Sequence, residues 1–139
     1  MVENPTNGAP STTSPLLPSV VLRGARLVVV GRTGFLGKVW LAMLLDRFPD
    51  VGHLHLLVRP KRDQSPEERF WAHIATSPVF DPLREKYPGT AFEDFLRDKI
   101  TPIAGDVIRA NLGIDEAIVE ELSGKCDAVV NVAGVVDFN

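Results

Sequence analysis

Residues 27–40 read LVVVGRTGFLGKVW, an apolar run that passes directly into glycines at Gly31, Gly34 and Gly37. The preceding stretch RLVVV (Arg26–Val30) is β-branched and apolar at successive positions, so both faces of that strand need cover, as in a strand buried between two helix layers. After Gly37, KVWLAMLLDRF places Val39, Trp40, Met43, Leu44 and Phe48 at helical spacing, and Pro49 stops the helix. A buried strand that turns into a helix across spaced glycines leaves few architectures open to the chain.

The remaining sequence repeats the alternation. HLHLLV (His53–Val58) is a second strand. Ser65 is then an expected helix N-cap, with Pro66 at the first helical position and Glu68 three residues after the cap. Phe70, Trp71 and Ile74 form the apolar face of that helix. A proline-punctuated stretch, Ser77–Gly89, holds one short helix around Leu83–Lys86, and Ala91–Lys99 reads as another, with Phe92, Phe95 and Leu96 on one side. KITPIAGDV is a third strand with a turn at Gly105-Asp106, Asp115–Leu122 is a helix, and DAVVNVAG (Asp127–Gly134) is a fourth strand. This order implies βαβ units on a parallel sheet, and right-handed crossovers put helices on both faces. The expected fold class is α/β, a doubly wound parallel sheet (Rossmann-like), truncated after the fourth strand. Residues 1–22 are rich in Pro, Ser, Thr and Asn without apolar periodicity and are expected to be a disordered leader. Residues 23–139 are then the N-terminal part of an incomplete domain.

Composition narrows the function classes. With 45% hydrophobic and 24% charged residues, the 139-residue chain has the balance of a soluble globular domain. A net charge of −3 offers no basic surface, so nucleic acid is not an expected partner. The apolar runs are far shorter than the ~20 residues that span a bilayer, so no membrane span is expected. The lone Cys126 excludes an internal disulfide, and residues 1–15 lack a signal-peptide pattern; a reducing, cytoplasmic location is expected. Cys126 reads as a small buried residue rather than a nucleophile. His53 and His55 alternate along one strand face with no third ligand suggested nearby, so they read as structural and no metal is expected.

Each glycine of the turn has a physical task at the carboxyl edge of such a sheet, where ligands bind. Gly31 permits a sharp exit from the strand at positive φ. Gly34 lets backbone N–H groups approach a diphosphate at the helix N-terminus, where the dipole favours an anion. Gly37, one turn in, lets the helix pack closely on the strand. The spacing is G-x-x-G-x-x-G, and alone it fits a structural turn as well as a nucleotide turn; the βαβ setting favours the nucleotide. An NAD site usually carries Asp or Glu at the end of the second strand, about 20 residues beyond the glycines. Here that end reads LLVRPKR, with Arg59 in the acid's place and Arg32 inside the glycine turn. Two guanidinium groups suit a 2′-phosphate and favour NADPH over NADH, the alternative being that Arg59, Lys61 and Arg62 form only a solvated loop.

Five segments, GRTGFLGKVWLAMLL, LHLLVRPKRDQSPEERF, SPVFDPL, ITPIAGDV and AVVNVAGVVDF, occur in an order that resembles the NADP-binding half of fatty acyl-CoA reductases. That male-sterility-type family belongs to the extended short-chain dehydrogenase/reductases, and the resemblance covers roughly residues 24–139. It implies a diphosphate turn at Gly31, Arg32, Thr33, Gly34, Phe35, Leu36 and Gly37, with Arg32 and Arg59 on the 2′-phosphate. It also implies that Asp106 bonds the adenine amino group beside Val107, and that Asn131, Val132 and Ala133 line the adenine ribose. Gly-Asp is also a common plain turn, and small residues also suit a tight strand end. Two departures stand out: Val30 where the family commonly has Thr, and Asn131-Val132-Ala133-Gly134 where it more often has His and two alanines. The latter resembles the Asn-Ala-Gly segment of other short-chain dehydrogenases.

The family reduces a thioester with hydride from NADPH, using a Tyr-x-x-x-Lys pair for proton transfer. The single tyrosine, Tyr87, has Ala91 four residues on and precedes the third strand, so no catalytic residue is assigned. The chain is expected to be inactive alone and to hold the cofactor for a protein whose substrate is fatty acyl-CoA. Two alternatives stay open: the thioester reductase domain of a carboxylic acid reductase or peptide synthetase, and a non-catalytic NAD(P)-binding module.

Overall fold

The computed structural model describes residues 15–31 and 34–133. Among these, β1 (Arg26–Val30), β2 (His53–Val58), β3 (Ile100–Ala104) and β4 (Ala128–Asn131) form one parallel sheet in the order β3-β2-β1-β4. The strands run outward from β1 to one edge, and the chain then crosses back to place β4 on its other side. That is the first half of a doubly wound dinucleotide fold, as the sequence leads one to expect. Pro102, which has no N–H to donate, sits on β3 at the sheet edge, where only one side of the strand is paired.

Both faces of β1 and β2 are covered, which explains why β1 is apolar without alternation, whereas β4 is largely exposed, Val129 at 63%. Leu27, Val29, Leu54 and Leu56 face the larger core, with Leu41, Leu45, Phe70, Phe80 and Leu96. Val28, Val30, Leu57 and Ile103 face a smaller one, packed against Leu112, Ile118, Leu122 and Cys126.

Helix α1 (Pro18–Val21) is a single turn lying within the expected leader; none of its residues is buried, and Leu22 just beyond it packs on the larger core. Helix α2 spans Phe35–Arg47, three residues earlier than the apolar spacing suggests, with Gly34 as N-cap. It buries Gly37, Leu41, Ala42, Leu44 and Leu45, while Met43 is 46% exposed. The segment VWLAMLL is apolar all round, so spacing alone cannot select which stripe faces the sheet.

The expected capping box opens α3 (Pro66–Arg69): the Ser65 hydroxyl accepts from the Glu68 N–H at 3.1 Å, and the Glu68 carboxylate accepts from the Ser65 N–H at 2.7 Å. The helix then widens into a π turn at Phe70–Ile74, closed by the Ala75 N–H on the Phe70 carbonyl at 2.9 Å, and both Phe70 and Ile74 enter the core. Trp71 is half-buried beneath the Arg97 guanidinium, 4.4 Å above its ring. A 3-10 turn (Pro78–Phe80) leads into α4 (Asp81–Lys86), followed by α5 (Thr90–Lys99) and α6 (Glu116–Leu122), which Asp115 caps. No described helix is long and apolar enough to cross a membrane.

Hydrogen bonds fix where β4 enters and leaves the sheet. The Arg26 N–H donates to the Asp127 carboxylate at 2.8 Å, and the Asp127 N–H returns to the Arg26 carbonyl at 2.8 Å. Pairing thus runs over Ala128–Asn131 rather than the whole 127–134 stretch, and Gly134 lies outside the described residues.

Candidate functional site

Because the strands are parallel, their carboxyl ends share one edge of the sheet. With strands about 4.8 Å apart, the line from β3 to β4 is about 14 Å long. In spatial order it carries Gly105-Asp106, Arg59, Gly31 and Asn131–Ala133. The structure therefore assembles most sequence-predicted residues along one edge; Arg32 and Thr33 lie outside the described residues.

At the β1–α2 turn the two glycines differ. Gly31 has φ +91°, and a Cβ built there would run into the backbone of Ala133 and lie 2.6 Å from the Val132 carbonyl carbon. The chain is drawn over it by the Val132 N–H on the Val30 carbonyl (2.8 Å), and the Asn131 side chain accepts the Ala133 N–H at 2.9 Å. The fold itself thus requires glycine at 31. Gly34 has φ −75° and ψ 165°, which any residue adopts, and among the described residues a Cβ there would meet nothing within 4 Å. The described residues give no reason for glycine at 34, and the open space lies at the start of a 13-residue helix. The first intrahelical bond there is the Lys38 N–H on the Gly34 carbonyl at 3.2 Å, so the N–H groups of Phe35, Leu36 and Gly37 precede the ladder. Gly34 has no side chain to cap them and the first turn holds no acidic residue, so the positive end of the helix is uncompensated from within. Phe35 and Leu36 are 78% and 69% exposed beside these groups.

At the other end of the edge, the Arg59 Nε meets the Asp106 Oδ2 at 3.1 Å. The Arg59 side chain is 69% exposed and that of Asp106 14%. The other Asp106 oxygen accepts the Ile108 N–H at 3.2 Å. The following loop closes on itself: the Asp106 N–H donates to the Leu112 carbonyl (2.7 Å), the Arg109 N–H to the Asp106 carbonyl (3.1 Å) and the Leu112 N–H to the Arg109 carbonyl (3.1 Å). Asn111 and Leu112 take left-handed conformations, φ 51° and 57°, and the Leu112 side chain joins the smaller core. Such conformations are costly for a branched residue, so burial of Leu112 helps to hold the loop. The loop and β2 enclose a cavity of about 300 Å³ lined by Arg59, Pro60, Ala104, Gly105, Asp106, Arg109 and Gly113. Val107 is exposed, on the outer side of the loop's first turn.

Two arginines here escape sequence reading. Arg69 donates through Nη1 to the Arg59 carbonyl and ties α3 to the end of β2. Its position one turn after the Ser65 cap marks it as helical, but nothing local shows that it reaches back ten residues. Arg109 lines the cavity only because the loop curls back.

The histidines and the cysteine sit toward the opposite edge. The ring nitrogens of His53 are engaged by the Asp98 carbonyl (3.0 Å) and the Thr101 hydroxyl (2.7 Å). His55 is buried, its Nε2 without a partner; burial pushes its pKa below the ordinary value, helped by His53 and Arg26 and opposed by Glu121. Burial pushes the Cys126 thiol up, the direction of an inert rather than a nucleophilic cysteine.

The strand order, the glycine turn and the open helix end define a dinucleotide-binding α/β domain. An NAD-binding family model described as "Male sterility protein" matches residues 29–139, and the chain belongs to that family. Its cofactor class is accordingly a nicotinamide dinucleotide. The chain is 36% identical to fatty acyl-CoA reductase 1 of Mus musculus over 116 residues, which is 84% of this chain and 21% of that protein. It is 30% identical to fatty acyl-CoA reductase 2, chloroplastic, of Arabidopsis thaliana over 118 residues, 85% of this chain and 19% of the relative. The chain thus spans about a fifth of the length of these curated relatives. Among solved structures it is similar to the reductase (R) domain of a nonribosomal peptide synthetase from Mycobacterium tuberculosis. The TM-score is 0.59 at 27% identity, covering 83% of this chain and 25% of that one. The terminal R domain of the myxalamid PKS-NRPS pathway gives a TM-score of 0.55 at 26% identity, covering 82% and 26%.

Proposed function

We propose that this chain is the NADPH-binding part of an acyl-thioester reductase that acts on fatty acyl-CoA and yields a fatty aldehyde or alcohol. The observation that carries the cofactor choice is Arg59, which stands where an NAD site places a carboxylate. Among the described residues its ion pair is through Nε, which leaves its terminal nitrogens for a phosphate. The substrate class comes from the similarity to fatty acyl-CoA reductases.

In this reading the N–H groups from Gly34 to Gly37 receive the diphosphate, with Gly31, Arg32, Thr33, Phe35 and Leu36 shaping the turn. Arg32 and Arg59 take the 2′-phosphate, Asp106 and Val107 the adenine, and Asn131, Val132 and Ala133 the adenine ribose. The open space over Gly34 and the free end of Arg59 fit such a ligand. NADPH supplies hydride for the thioester carbonyl; this chain's residues bind and orient, and none of the 139 is assigned to proton transfer. A cytoplasmic setting is part of the proposal and suits the lone Cys126.

Calorimetric titration of the chain with NADPH and NADH tests the cofactor. Tighter binding of NADPH, with the preference shrinking in Arg32→Ala and Arg59→Ala, is expected; equal affinity would remove the 2′-phosphate assignment. For the activity, the gene's full reading frame should carry a Tyr-x-x-x-Lys pair downstream, and a longer frame without one would remove the reductase reading. The similarity to R domains favours a second reading, a reductase that takes its acyl group from a carrier domain. An upstream carrier domain in the same frame would select it.

A further inference from the structure

We propose that Arg109 is a further specificity-determining cation of this site, acting with Arg59 on the phosphate that distinguishes NADPH from NADH; the inference rests on the NADPH reading above. Both arginines line the same cavity, and the carboxylate among the lining residues is Asp106. Asp106 is committed at both oxygens, one to the Arg59 Nε and the other to the Ile108 N–H. One carboxylate against two guanidinium groups leaves the cavity with an unbalanced positive charge.

The two arginines are differently placed to use it. Arg59 is held through Nε, which aims it and leaves the Nη1/Nη2 end available as a fork. The Arg109 guanidinium makes no ion pair or hydrogen bond among the described residues. Its stem nevertheless has a fixed bed. Gly113, at φ +58°, presents no side chain, and a Cβ there would lie 3.2 Å from the Arg109 Cδ and 3.4 Å from its Cβ. The closed loop positions the backbone of Arg109 through bonds at both its N–H and its carbonyl. A phosphate monoester, with two negative charges and three acceptor oxygens, matches a cavity lined by two arginines.

Adenosine 2′,5′-bisphosphate and 5′-AMP differ only by the phosphate in question and separate this role from stacking on the base. In calorimetry the wild-type chain is expected to bind the bisphosphate more tightly. Arg109→Ala should cut that preference roughly tenfold with 5′-AMP binding unchanged, and Arg109→Lys should keep part of it. Equal weakening of both ligands in Arg109→Ala would mean that Arg109 stacks on adenine, and would overturn the inference. An unchanged preference would overturn it while leaving the NADPH reading intact. A wild-type chain that does not distinguish the two ligands would instead remove the NADPH reading, and this inference with it.

Discussion

In the proposed reading the two ends of the carboxyl edge meet the same demand, a place for phosphate, with different materials. At the β1–α2 turn there is no charged side chain among the described residues; backbone N–H groups and the helix dipole face open space above Gly34. At the β2–β3 end the backbone is closed into a hydrogen-bonded loop, and the charge is carried by Arg59, Asp106 and Arg109 around a cavity. In the proposed reading the backbone of the first end takes the diphosphate common to both dinucleotides, whereas Arg59 and Arg109 at the second, with Arg32, tell one dinucleotide from the other. Affinity and selectivity should therefore be separable by mutation.

The largest expected effect breaks the fold rather than the site. Gly31→Ala combines a positive φ with a clash against the Ala133 backbone and should cost about 3 kcal/mol of stability, read as a lower urea midpoint. Gly34→Ala, three residues on, should leave stability within about 0.5 kcal/mol and weaken NADPH and NADH alike, roughly tenfold. A comparable stability loss at both positions would mean that the turn's glycines serve only the fold. Arg59→Ala should do the reverse of Gly34→Ala: NADPH affinity falls roughly tenfold while NADH affinity holds. Ser65→Ala removes one arm of the capping box and should cost about 1 kcal/mol in denaturation, with the cofactor preference retained.

The smallest effect is a control remote from the site. His55 has its folded-state pKa pushed below the ordinary 6.5 by burial, so below pH 6.5 the unfolded chain binds more protons than the folded one. Stability should be flat above about that pH and fall as pH drops toward the lowered value. His55→Val should flatten this slope in urea titrations at several pH values, with no change in cofactor preference.

What could be read in the sequence was what is written locally. The strand order follows from four short apolar runs separated by helical spacing and capping signals, and the Ser65–Glu68 box formed as its residues imply. The carboxyl-edge position of Gly31, Arg59, Asp106 and Asn131 followed from that order alone. Three features were not legible. The buried stripe of α2 depends on how an all-apolar helix lies on the sheet, which left Met43 outside. The π turn at Phe70–Ile74 keeps both ends of an i, i+4 pair in the core, as an α turn would, so the apolar spacing cannot distinguish the two. Arg109 reaches the cavity through the left-handed pair Asn111-Leu112; Asn111 suits that conformation, but Leu112 does not announce it.

The most direct test of the central claim is residue-resolved amide NMR of the ¹⁵N-labelled chain titrated with NADPH. The predicted result is a set of shifts confined to the carboxyl edge: Gly31 to Gly37, Arg59, Asp106 to Arg109 and Asn131 to Ala133. Amides at the opposite edge, such as His53, Thr101 and Asp127, should stay still. Shifts centred on that opposite edge, or none at saturating NADPH, would contradict the account.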